Sequence, residues 1–390
     1  MNILAVQPFA DGIGHYGPYA TRLCGDFCAR GHRVTLCANT RPDREQHPFE
    51  IVVMNFALRP FEDVRRTRPL HWLWGRIGAN LRTLRAALRI SGASDVVQLF
   101  SYELVSTAIV LMLWPPSRPV ILEIAAPNFD ASKHYGALSE RLWRRIQKLA
   151  LRYLVRYRLA AINVYSAAHA SELRRQLDLA PQFPVRVTAD SRVPVESSID
   201  RAQARLRLGL DPAATVFLFF GTIRRDKGLD NLITAFRALP ESCHLLIAGK
   251  PLDLAGPAIA DPRITARYDF IPANETELYF AAADVLVLPY ESFYSGSSGP
   301  LFDACAHGLP VVASRVSELG RLVTEHGLGI AVEPGSVDSL GAGLAAFEAA
   351  ASGQREQWSR NASRLIELVS CDAVADSYIA LYESLASGKS

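Results

Sequence analysis

The stretch DVLVLPYESFYSGSSGPLFDACAHGLPVVAS, residues 284–314, reads as strand, loop, helix and strand. Its run of Val285, Leu286, Val287 and Leu288 suits a strand buried on both faces of a parallel sheet. Pro289 ends the run, and residues 291–299 form a loop rich in Ser and Gly. Pro300 fits the first turn of a helix, where its missing N–H costs nothing. That helix turns Leu301, Phe302, Cys305 and Ala306 toward a core, Gly308 ends it, and a second strand starts at Leu309. Ser297, Ser298 and Gly299 thus precede a helix N-terminus, where free N–H groups and the positive end of the dipole favour a phosphate. Asp303, one turn in, is near enough to accept from a sugar hydroxyl. A plain polar turn with a first-turn carboxylate is the other reading of the same residues.

A second strand-to-helix junction lies upstream. Residues 215–220 are apolar and lead into GTIRRDKGLDNLITAFRAL, in which Gly221 ends the strand and a helix begins near Leu229. Arg224, Arg225 and Lys227 cluster between the two. Cations between a strand end and a helix start suit a diphosphate, and a solvated turn is the alternative. Strands at 245–249 and 264–270 and a helix at 275–282 complete the approach to the opening stretch. Phe270 and Ile271 then stand at a strand end.

The chain start repeats the alternation. Strand 2–7 precedes Gly12, Gly14 and Gly17, a literal G-x-G-x-x-G, and a helix follows from about 18 to 30 before strand 33–38. The first Gly stands several residues past the strand, and the next strand ends in Ala38 and Asn39 with no acid for a ribose, so the dinucleotide fingerprint is incomplete. A loop that lets a ligand approach the backbone, and a loop that only turns the chain, both fit. Strands at 50–55, 95–100, 119–123, 161–165 and 185–187 follow. Loops 101–103 and 126–136 come at strand ends, so Asn128, Asp130 and His134 are site candidates beside an ordinary surface-loop reading.

At 390 residues two domains are the default. Irregular residues 188–201 separate domain 1–195 from domain 196–373, and helix 374–390 closes the chain, with a return to the first domain as one reading. Residues 1–200 carry 26 Lys and Arg against 17 Asp and Glu; residues 201–390 carry 16 against 22. That asymmetry, +9 against −6, sums to the net +3 and implies different partners for the two halves. The cations concentrate. Residues 59–89 hold eight Arg and two acids around His71, Trp72 and Trp74, and residues 141–158 hold seven cations and no acid. Arg with Trp and Leu at helical spacing fits an anionic membrane surface or a solvated basic face; no nucleic-acid module is present. No apolar stretch is long enough to span a bilayer, with 105–114 the longest candidate. The first residues show no basic n-region or cleavage site, so a secretory signal is not expected. The six cysteines form no Cys-x-x-Cys pair or zinc pattern and read as reduced thiols of a cytoplasmic protein.

Taken together, FFGTIRRDKGLDNLITAF, then YFAAADVLVLPY with SGPLFDACAHGLPVVAS, then GIAVEPGSVDSL, resemble the retaining GT-B glycosyltransferases of family 4. The resemblance is strongest over 215–340. In the first domain it rests on the strand, Gly loop and helix and on ARGHRVTLCA. It implies α/β architecture with two Rossmann-like parallel-sheet domains facing across a crevice. It implies transfer of a sugar from a UDP- or GDP-linked donor, with retention, to a glycan, lipid-linked or small-molecule acceptor.

By the same resemblance Arg224 and Lys227 hold the donor diphosphate with the amides of Ser298 and Gly299, Pro300 stands beside them at the donor site, and Asp303 accepts from the ribose. Phe270 and Ile271 contact the base, and Gly12, Gly14 and His15 lie near the donor. Asn128, in the loop where many members carry a His, joins Arg224 and Lys227 as a catalytic candidate. The chain departs from the family's Glu-x₇-Glu pattern: the second position is Asp303 and the first is Ser295, with Glu291 the nearest carboxylate in the longer loop. Thr222 stands where many members carry Arg, so Arg224 substitutes. No Asp-x-Asp occurs, which implies no metal on the diphosphate and no cofactor beyond the donor. The inner membrane face is the expected address if the basic half meets lipid. A non-catalytic nucleotide-sugar module, a sugar-nucleotide epimerase and an NADP-type oxidoreductase using Arg41 are the rival readings.

Overall fold

The computed structural model describes residues 1–8, 16–39, 41, 46–54, 69–100, 103–124, 138–188, 193–195, 197–252, 256–257, 259–294 and 298–387. The chain divides into two compact units, Met1–Ala189 with Cys371–Ser390, and Asp190–Ser370.

The first unit is built on seven parallel strands, β1 (Asn2–Val6), β2 (Arg33–Ala38), β3 (Glu50–Val53), β4 (Val96–Leu99), β5 (Val120–Ile124), β6 (Ala161–Val164) and β7 (Val185–Val187), in the order β3-β2-β1-β4-β5-β6-β7. Helices α1 (Tyr16–Ala29), α2 (Pro69–Ile90), α3 (Leu104–Leu113), α4 (Leu138–Tyr157) and α5 (Ala167–Leu177) connect them. Side chains alternate across the sheet. Leu4, Val6, Val97 and Leu99 meet Leu84 of α2, Val110 of α3, Leu154 of α4 and Leu173 of α5. Ile3, Ala5 and Val96 meet Tyr19, Leu23 and Phe27 of α1 on the opposite face. A parallel sheet covered on both faces is why its strands read as continuous apolar runs.

The second unit repeats the plan with six parallel strands, β8 (Thr215–Phe220), β9 (Cys243–Ala248), β10 (Ile264–Arg267), β11 (Val285–Leu288), β12 (Val311–Ser314) and β13 (Gly329–Val332), ordered β10-β9-β8-β11-β12-β13. Its helices are α6 (Arg201–Leu208), α7 (Leu229–Phe236), α8 (Ala273–Ala282), α9 (Gly299–Ala306), α10 (Ser317–His326), α11 (Val337–Glu348) and α12 (Ser352–Leu368). Asp284 pins the start of β11: its carboxylate accepts from the Val216 N–H at 2.7 Å, Arg205 Nη2 at 2.6 Å and Arg201 Nη1 at 2.7 Å. The strand read at 264–270 ends at Arg267, where the Gly249 N–H donates to the last strand carbonyl.

From α12 the chain continues as α13 (Cys371–Ala386), a member of the first unit. Val374, Tyr378, Leu381 and Tyr382 pack on the α1 face of the sheet. Tyr378 and Tyr165 each donate to the buried Glu123 carboxylate at 2.5 Å, and Tyr382 donates to Gln98 at 2.9 Å. None of the six cysteines is in a disulfide.

Candidate functional site

Strand order reverses between β8 and β11, which are neighbours in the second sheet although β9 and β10 separate them in sequence. In such sheets ligands bind outside the carboxyl ends of the strands at that point. Both junctions singled out in the sequence lie there. The loop after β8 makes a short 3₁₀ turn at Arg225–Lys227 and enters α7; the loop after β11 enters α9. Two glycines allow close backbone approach here, Gly249 after β9 to the loop after β8 and Gly228 to the loop after β11. Gly249 lies so near Gly221 that a Cβ would stand 1.7 Å from the Gly221 carbonyl oxygen, and Gly228, at φ +64°, would place one 2.0 Å from the Pro289 carbonyl oxygen. Pro300 in turn abuts Gly221, its Cγ 3.3 Å from where a Cβ would be. Backbone and side chains close the junction: the Glu291 N–H donates to the Asp226 carbonyl at 3.0 Å, and Asn231 Nδ2 donates to Glu291 Oε1 at 2.9 Å.

The two cations differ in their surroundings. Arg224 is held by its neighbour, donating through Nε and Nη2 to the Asp226 carboxylate at 2.9 and 2.8 Å. Lys227 is buried, at 7% exposure. Its Nζ lies 3.7 Å from the centroid of the Tyr290 ring and 4.6 Å from that of Tyr294. Those ring faces favour the ammonium form, but among the described residues no oxygen accepts from it within hydrogen-bond distance. Burial, and secondarily the Arg224 charge, pull the Lys227 ammonium down to about 7, with Asp226 opposing. The same Tyr290 carries its hydroxyl 2.9 Å from Ser298 Oγ. Ser298 caps α9, accepting from the Leu301 N–H. One tyrosine ring therefore joins the buried ammonium to the cap of α9, the helix that opens at Gly299. Burial raises the Tyr290 hydroxyl well above the usual tyrosine value, so it stays a neutral hydrogen-bonding group.

Other candidates fall around this centre. Asp303 sits one turn into α9 and is half-buried. Glu291, half-buried, accepts from Asn231 through Oε1. Phe270 lies past the end of β10 and is 54% exposed, whereas the Ile271 side chain is buried in the core with Tyr279 and Phe280. Gly12, Gly14, His15, Asn128, Ser295 and Ser297 lie outside the described residues, as do Asp130 and His134. Among the described residues no group of three or more His, Cys, Asp or Glu is placed to hold a metal ion. Tyr290, Tyr294 and Asn231 were missed in the sequence. The available sign was Tyr290 itself, an aromatic directly after the strand-ending Pro289.

Comparison with known proteins follows the same geometry. Residues 214–348 match the family described as glycosyl transferases group 1. A D-inositol 3-phosphate glycosyltransferase of Mycobacterium sp. (strain KMS) is 39% identical over 150 residues, 33% of this chain and 33% of that protein. One from Mycobacterium marinum is 31% identical over 198 residues, 47% of this chain and 41% of that protein. The chain thus spans about a third of the length of the first of these relatives. Among solved structures, sucrose-phosphate synthase from Thermosynechococcus elongatus superposes with a TM-score of 0.75 at 18% identity, covering 100% of both chains. Anabaena Alr3699/HepE in complex with UDP and glucose gives 0.70 at 17%, covering 99% of this chain and 100% of that one. Two Rossmann-like parallel-sheet units in one chain, shared with these structures, are the GT-B fold. The residues that match the group 1 glycosyl transferases, the family resembled in sequence, lie within the chain's second unit.

Proposed function

We propose that the chain is a retaining, metal-independent glycosyltransferase that moves a hexosyl group from a UDP- or GDP-linked donor to a glycan, lipid-linked or small-molecule acceptor. The observation that carries this is Lys227: a buried ammonium with no oxygen acceptor among the described residues, joined through Tyr290 to a helix N-terminus at the β8/β11 switch point. That arrangement wants an anion with two phosphates, one for the ammonium and one for the helix amides. In glycosyl transfer the diphosphate gains charge as the anomeric bond breaks. Fixed donors aimed at it lower the barrier because they need no reorganisation during the reaction. Lys227 supplies the charge. Arg224, oriented by Asp226, supplies a second cation on the solvent side. Retention is carried over from the family resemblance, and metal independence from these cations together with the lack of Asp-x-Asp.

The test begins with thermal shifts against UDP, GDP and their sugars, with UDP first because Alr3699/HepE is solved with it. A rise with one nucleoside diphosphate and its sugars is expected. Incubation of that donor with an acceptor panel should then give a product whose anomeric configuration, read by NMR, matches the donor. Turnover should survive chelation. A product of inverted configuration, or activity abolished by chelator and restored by magnesium or manganese, would refute the corresponding half of the proposal.

A further inference from the structure

Helix α4 has more apolar surface than the core takes. It buries Leu151 and Leu154 against the sheet, as an amphipathic helix should. Yet Leu142, Ile146, Leu149 and Tyr157 stay exposed, Leu149 to 63%. At the ideal helical repeat these four fall within an arc of about 80°, a stripe along the outer side. Arg141, Arg145, Arg152 and Arg156, all exposed, lie along one flank of that stripe. The pattern continues onto the neighbouring helices. Met112 and Leu113, with Trp114 just beyond α3, are exposed. The guanidinium of Arg85 from α2 lies 4.3 Å from the Trp114 ring centroid. Arg158 donates to the Leu111 carbonyl at 2.8 Å and lies 5.7 Å from the Tyr153 ring centroid, tying the end of α4 to α3. No acidic residue occurs in 69–90, 104–113 or 141–158, and the one acid of α4 is Glu140 in its first turn.

We propose that this face, formed by α2, α3 and α4, docks on an anionic lipid bilayer. Leucine, isoleucine and tryptophan side chains enter the acyl boundary, while arginine heads stay with the phosphates. Charge decides the occupant. A two-fold contact with a second copy would set this patch against itself, cation against cation. A nucleic acid would satisfy the arginines but leave the stripe in water. Among the described residues no helix is long and apolar enough to cross a membrane, so the contact lies on the surface. The inference rests on the first unit alone and stands whether or not the transferase reading holds.

The test is sedimentation of the full chain with phosphatidylcholine vesicles, with and without phosphatidylglycerol, at low and high salt. Binding is expected only with phosphatidylglycerol, weakening roughly tenfold or more as salt screens the cations. Leu149→Glu and Arg145→Glu, both at exposed positions, should each weaken binding several-fold with unchanged thermal melts. Arg207→Glu, the same charge change on the exposed face of α6 in the second unit, should leave binding unchanged. The proposal is overturned by no binding at low salt, by equal binding to neutral vesicles, or by Arg207→Glu weakening binding as much as Arg145→Glu. It is also overturned by a dimer in sedimentation velocity that Leu149→Glu abolishes. Oligonucleotide binding that displaces the vesicles and survives Leu149→Glu would overturn it too.

Discussion

An ammonium buried under two tyrosine rings, with a guanidinium nearby, gives up its proton more easily than one in water. For Lys227 the folded value of about 7 lies below the ordinary 10.5, so between these pH values the unfolded chain binds more protons than the folded one. Folding stability from this residue therefore rises with pH across that window and is lowest below about 7. Lys227→Met removes the buried charge. The variant should be more stable than the parent at pH 6, and the gap should close by pH 10 in denaturant melts. A bound diphosphate reverses the balance, because it favours the ammonium. Nucleoside diphosphate binding at pH 8 should take up protons, seen by calorimetry in buffers of different ionisation enthalpy, and affinity should fall as pH rises above about 7. Lys227→Met should lose about 1.5–3 kcal/mol of affinity, as for a charge-assisted bond, and lose the proton uptake. Unchanged affinity would remove Lys227 from the site. The sequence placed Arg224 and Lys227 together but ranked them equally. Their difference depends on Asp226 folding back onto Arg224 and on two tyrosines from the loop after β11 reaching Lys227, neither of which spacing displays.

At the scale of elements, strands were legible because both sheets are covered on two faces, so β8 and β11 appear as unbroken apolar runs. The junction at 298–306 was legible for a local reason as well: a capping Ser, a first-turn Pro and a terminating Gly308 each carry their own conformational preference. The end of β10 was not legible, since nothing in Tyr268, Asp269 and Phe270 marks where pairing with β9 stops. Nor was the close approach of Gly228 to Pro289, which joins residues distant in sequence. That approach is testable. Gly228→Ala adds a Cβ at φ +64° directly against the Pro289 carbonyl, so it should cost about 2 kcal/mol or more and weaken diphosphate binding together with stability. Asp284 makes a second such link. Its partner Arg205 is buried, so Asp284→Ala leaves a guanidinium without its carboxylate and should destabilise the second unit by about 3–5 kcal/mol. Asp284→Ala and Arg205→Met combined should cost less than the sum of the two, because the orphaned charge is gone. Strict additivity would mean that the pair contributes nothing as a pair.

For the whole molecule, the periodicity of Tyr378, Ile379, Leu381 and Tyr382 marks the last helix, but nothing in it says which sheet receives it. The partners decide, and they are polar. Glu123 in β5 is buried at 1% exposure, with hydroxyls from Tyr165 and Tyr378 on its carboxylate, and Gln98 in β4 takes the hydroxyl of Tyr382. A buried carboxylate stripped of a donor keeps its desolvation cost, so Tyr378→Phe should destabilise the first unit by about 1–3 kcal/mol. The ion pairs of Arg30 with Asp372 and Asp376 tie the same helix at the surface, but both carboxylates are largely exposed, and Arg30→Ala should cost under about 1 kcal/mol. The chain thus visits the first unit, builds the second and returns, so truncation after Ser370 is not a surface trim. It uncovers the apolar side chains of α1 and β4 that Tyr378 and Tyr382 cover. Calorimetry of the truncated chain should show the transition of the first unit lowered or lost, while that of the second unit, which retains its own core, persists and still shifts with a nucleoside diphosphate. If the truncated protein melted like the full chain, α13 would be an appendage. If both transitions fell together, the two units would not fold as separate bodies.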